Sequence, residues 1–160
     1  MARWSSQASA AGSYLPAAEN AGPLVRVEFE PPAGPIGAGQ WRCGWRIRNV
    51  ATPILSMTTA WLPHGRFRSA RRTFDPAVKI AAGSSKRMSF DVECSEVSGT
   101  ELENAFVILT ADLDGEEWRV FARLTVSFGD GGLPTPRTEI VTTSRVVFTN
   151  LADPRGEASL

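Results

Sequence analysis

The feature that most limits how this chain can fold is a two-residue alternation of apolar and polar side chains that returns along most of its length. A β-strand turns successive side chains to opposite faces, so such alternation marks a strand with one buried face. Trp41, Cys43, Trp45 and Ile47 alternate with Arg42, Gly44, Arg46 and Arg48, and Met88, Phe90, Val92 and Cys94 with Arg87, Ser89, Asp91 and Glu93. Val25, Val27 and Phe29 open an earlier strand, which Pro31 and Pro32 are expected to stop because proline cannot donate to a ladder. Leu55, Met57, Thr59 and Trp61 predict a strand over Ile54 to Leu62 with those four side chains inward. The stretch His64 to Arg72 reads as a basic, irregular loop, followed by an edge segment carrying Phe74, Val78 and Ile80 and broken by Pro76. Two apolar runs, Ala105 to Leu113 and Trp118 to Phe128, flank Asp114-Gly115, a favoured pair for the left-handed positions of a tight hairpin turn. Ile140 to Phe148 supplies the last β-prone segment, and Val97 to Asn104 has room for a short turn at most.

Seven or eight short strands with regular turn signals and no helical period predict an all-β antiparallel sandwich, with a barrel as the other closed solution. The domain spans 24–150. Residues 1–23 and 151–160, rich in small residues, Pro and Gly, bury too little to offset their ordering entropy and read as flexible tails. Hydrophobic residues at 42% and charged residues at 21% fit one globular domain. Seventeen basic and seventeen acidic side chains cancel, so no whole-molecule field draws the chain to nucleic acid or an anionic membrane. No apolar run approaches the roughly 20 residues that span a bilayer, and MARWSSQASAAG has no signal-like core, so the expected location is the cytoplasm. Oligomeric state is left open.

A strand ending in Asn (WRIRNV), a Pro-plus-Gly approach to a strand (FDPAVKIAAGSSKRMSFDV) and then a Gly-led pair of strands resemble bacterial immunoglobulin-like sandwiches of the CARDB kind, over roughly Leu24 to Phe128. The resemblance implies an immunoglobulin-like fold and an adhesion, spacer or accessory role. Such domains are commonly exported, a point at which this N-terminus departs. In a sandwich of that kind the second and fifth strands are antiparallel neighbours, which would bring Cys43 opposite Cys94 on the inward face. One reading is a cross-strand disulfide or redox switch; the other is two small buried hydrophobes, reduced in a reducing compartment.

The densest charge cluster is PHGRFRSARR, with His64, Arg66, Phe67, Arg68, Arg71 and Arg72 as the expected binding surface. Arginine forks beside an aromatic can grip a carboxylate, a phosphate or a base. Against this, Glu28, Glu30, Asp91 and Glu93 are placed to pair with Arg42, Arg46 and Arg48 across strands. His64 is the only histidine, so any triad must run through it, and no nucleophile elbow, phosphate loop, dinucleotide fingerprint or metal-type spacing accompanies it. Asp112, Asp114, Glu116 and Glu117 read as a charged hairpin tip rather than a calcium loop. Trp41, Trp45, Trp61 and Trp118 read as core, and Trp4 as an isolated aromatic in the tail. No catalytic residue, cofactor or metal is assigned. The expectation is a non-catalytic module that binds another protein, the alternatives being an anion or nucleic-acid binder through Arg66 to Arg72 and a subunit of an enzyme complex.

Overall fold

The computed structural model describes residues 22–147. Trp4, Phe148, the C-terminal tail and all but Gly22 and Pro23 of the N-terminal tail lie outside the described residues. Among the described residues eight antiparallel strands follow one another: β1 Val25–Gly37, β2 Gln40–Asn49, β3 Leu55–His64, β4 Phe67–Ile80, β5 Ser85–Glu93, β6 Glu101–Leu113, β7 Glu116–Phe128 and β8 Pro134–Arg145. A 3-10 turn, Asp130–Gly132, links the last two. The protein is therefore all-β. Its strands are joined in one sheet of order β1-β2-β5-β4-β3-β6-β7-β8, nearly closed and barrel-like, where the sequence predicts a sandwich of two layers. The sheet is continuous because Arg68 of β4 bridges Glu93 of β5, joining β1-β2-β5 to the other five strands.

The core sits where the inward faces meet. Trp45 is fully buried at its centre, edge-on to Phe29, Phe67 and Phe90 at centroid distances of 5.5, 6.3 and 5.6 Å. Each fully buried side chain of this size contributes about 2–3 kcal/mol through the apolar area it removes from water. Cys43, Trp45 and Ile47 on β2, and Met88, Phe90 and Val92 on β5, all face inward as the alternation predicts. Asn49, which ends β2, is fully buried and fully used: its amide donates to the carbonyls of Pro53 (2.8 Å) and Ile80 (2.9 Å) and accepts from the Ala51 N–H (2.9 Å). It ties two turns together at the end of the barrel where the described chain begins and ends.

Several local expectations change. β1 does not stop at Pro31 and Pro32, because its ladder with β2 shifts register between Glu30 and Gly34 and leaves the prolines where no N–H is required. In β3 a shift between Met57 and Thr59, present in both of its ladders, reverses the phase. Ala60 and Leu62 become core and Trp61 turns outward, since one extra residue exchanges the two faces. The basic loop is instead the turn at Gly65-Arg66 and the first part of β4, a 14-residue strand. β6 begins at Glu101, inside the stretch expected to hold only a turn. The hairpin at Asp114-Gly115 forms as predicted, with φ of 53° and 82° at the two central residues.

The two margins of the sheet meet without a ladder among the described residues. Thr138 Oγ1 of β8 donates to the Val27 carbonyl of β1 at 2.6 Å, and Pro23, Pro134 and Pro136 are buried nearby in the chain. Gly22 lies against Trp118, so close that a Cβ there would fall 2.5 Å from the indole ring.

Candidate functional site

The structure disperses the predicted basic cluster. Phe67 is fully buried in the aromatic core, so its side chain does not reach the surface; as the first residue of β4 it points inward while its neighbours point out. His64 Nδ1 accepts the Arg66 backbone N–H at 3.0 Å, which makes the imidazole a cap on the β3–β4 turn. Arg66 grips Glu96 through two hydrogen bonds, 2.5 and 3.1 Å, and this holds the Glu96 carboxyl below the usual carboxylate range despite its partial desolvation. Arg68 pairs with Glu93 at 2.7 Å. Both pairs line an open cleft of about 480 Å³ at one end of the barrel, beside Gly39 and Gln40. Two arginines and two glutamates balance its charge.

Arg71 and Arg72 go elsewhere. Arg71 lies 4.7 Å over the ring of outward-turned Trp61. The Arg72 guanidinium sits 5.1 Å from the Phe74 ring and 5.6 Å from Phe90, and Nη1 donates to the Ser89 carbonyl of β5 at 2.5 Å. That bond identifies the second feature of the site, the seam between β4 and β5. Below the Arg68–Glu93 bridge the two strands make no further ladder pairing. A groove of about 340 Å³ opens beside Ser69, Ala70 and Asp91. β4 is hydrogen-bonded to β3 on its other side, with a bulge that sets Thr73 opposite Thr59 and Val78 opposite Met57. Arg72 thus occupies the position that an N–H from a neighbouring strand would fill.

The remaining charges are mostly satisfied across strands. Arg42 pairs with Asp91 at 3.1 Å, and Glu30 is shared by Arg46 and Arg87, the latter at 2.8 Å. Arg87 reaches β1 from β5 by crossing over Gly44 of β2, where any side chain would collide with the guanidinium. Of the expected acidic partners, Glu30, Asp91 and Glu93 pair with arginine. Arg48 finds none among the described residues; its neighbour in register on β1 is Arg26.

Cys43 and Cys94 are both free thiols. β2 and β5 are indeed antiparallel neighbours, but Cys43 stands opposite Phe90 and Cys94 lies past the ladder, its N–H bonded to the Gly39 carbonyl. Burial pushes the Cys43 thiol up to about 12 and Cys94 to about 11, so neither is a thiolate at neutral pH. Among the described residues no group of three His, Cys, Asp or Glu side chains is placed to hold a metal ion, and no helix is long and apolar enough to cross a membrane. Sequence reasoning did not identify Glu96, Trp61 or Lys79 as part of this surface. Period two alone carries no signal for a bulge-driven reversal or for an ion pair that spans a loop. Comparison with known proteins gives no match: no family model, no curated protein and no solved structure.

Proposed function

We propose that this protein is a non-catalytic, immunoglobulin-like module that binds an extended segment of another protein along the free edge of β4. The observation that carries the reading is the single bridge between β4 and β5: a 14-residue strand has one neighbour along most of its length. An unpaired edge offers backbone donors and acceptors to an incoming strand, and side-chain pockets beside it supply selectivity. The immunoglobulin-like assignment draws support from the way the strands divide at that seam, β1-β2-β5 on one side and β4-β3-β6-β7-β8 on the other. The anion-binding alternative is weakened because Arg66 and Arg68 already hold Glu96 and Glu93.

The test is capture from nuclease-treated cytosol with wild type, an Arg66, Arg68, Arg71, Arg72→Glu variant and an Arg137→Glu control, at low and high salt. A discrete protein held at high salt by wild type and control, and lost in the quadruple variant, is the expected result. Recovery of nucleic acid alone, from untreated lysate at low salt, would replace this reading with the anion-binding one.

A further inference from the structure

The seam between β4 and β5 carries a local excess of positive charge. Over the whole chain basic and acidic residues balance at seventeen each. Along the seam below the Arg68–Glu93 bridge stand Arg71, Arg72 and Lys79 of β4 and Lys86 of β5, all exposed, against Asp75 of β4 and Asp91 of β5. None of the four cations is in an ion pair among the described residues. Arg71 and Arg72 rest instead on aromatic faces, which orients a guanidinium while leaving its charge uncompensated. Asp91 is engaged by Arg42, so its charge is already matched. Between these cations Phe74 and Val78 are half-buried and packed on the core, forming an apolar shelf on the same strand.

We infer that the segment accepted by β4 is an acidic one, an extended stretch of a partner protein in which acidic residues alternate with apolar ones. The inference rests on the reading of β4 as an acceptor edge. An added strand turns alternate side chains to opposite faces, so one set meets the shelf of Phe74 and Val78 with Arg72 beside it, and the other meets Arg71 over outward-turned Trp61. Its backbone takes over the Ser89 carbonyl, and Arg72 is released to a carboxylate of the incoming segment. A nucleic acid would match the charge but has no peptide N–H groups for the strand edges, so the combination of bare backbone and cations selects an acidic peptide.

The experiment measures fluorescence anisotropy of three labelled probes on the full chain: a short peptide of alternating glutamate and valine, its lysine–valine counterpart, and single-stranded oligothymidylate. Wild type is expected to prefer the glutamate peptide by ~10-fold or more, and an Arg71→Glu, Lys79→Glu variant to reverse that order. Both substitutions are at exposed positions, and circular dichroism confirms that the variant is folded. Equal affinity for the two peptides overturns the acidic assignment while leaving the acceptor edge standing. Binding of neither peptide overturns both, and would make the cation row a guard against edge pairing. Preference for the oligonucleotide overturns the inference in favour of phosphate recognition.

Discussion

The sheet has two places where its closure is incomplete, and they are built from opposite chemistry. At the β8–β1 margin the strands make no ladder among the described residues, yet the gap is sealed by packing: Thr138 reaches the Val27 carbonyl, Gly22 is pressed on Trp118, and Pro134 and Pro136 are buried. Proline has no N–H to offer, so Pro134 and Pro136 limit this margin as a template at two positions, as Pro76 limits β4 at one. At the β4–β5 margin one ladder pair pins the strands and beyond it cations and backbone are left facing water. One margin is closed by contacts within the chain, and the other is the edge proposed to accept a partner strand.

The largest expected effect breaks the core beside the open margin. Phe67→Ala should cost about 3–5 kcal/mol in urea unfolding, because the residue is fully buried against Trp45. Arg71→Ala, four residues along the same strand, should cost well under about 1 kcal/mol. On the sealed margin, Gly22→Leu forces a side chain into the indole of Trp118, which is itself buried, and should destabilise by about 1–3 kcal/mol. A shift in tryptophan emission would accompany it. Thr138→Val removes the hydroxyl donor from the Val27 carbonyl and should cost about 1–2 kcal/mol, with no change in peptide affinity at β4.

The smallest effect is electrostatic. Glu30, Glu96 and Glu139 are each held below the ordinary carboxylate value of 4.5, by hydrogen bonds from Arg46, Arg66 and Thr125 respectively. A depressed carboxylate contributes stability that is complete above its unfolded value and is lost as pH falls through its folded value. Stability should therefore be level from neutral pH down to about 5 and decline below it, a decline that added salt makes shallower because the pairs are exposed. Thermal melts across that range at two ionic strengths measure it.

Much of the barrel was legible in the chain. Clean alternation over Trp41 to Ile47 and over Lys86 to Cys94 placed β2 and β5, with their inward faces correct, and Asp114-Gly115 marked its hairpin. The failures share one physical cause. A β-bulge inserts a residue and exchanges the two faces, so Trp61 left the core and Leu62 entered it without any change in local composition. In β4 the bulge between Thr73 and Val78 erased period two, and the arginines around Phe67 made a strand resemble a basic loop. Of the candidate site, the residues were visible but their grouping was not, because each arginine found a different partner: Glu96, Glu93, Trp61 and the Ser89 carbonyl.

The most direct test of the asymmetry between the two margins is amide hydrogen exchange of the full chain, with and without the glutamate–valine peptide, comparing residues 69–80 of β4 with residues 134–145 of β8. The account predicts new protection in β4, together with the facing residues of β5, and none in β8. Protection appearing at β8, or at neither strand while the peptide is bound, would contradict it.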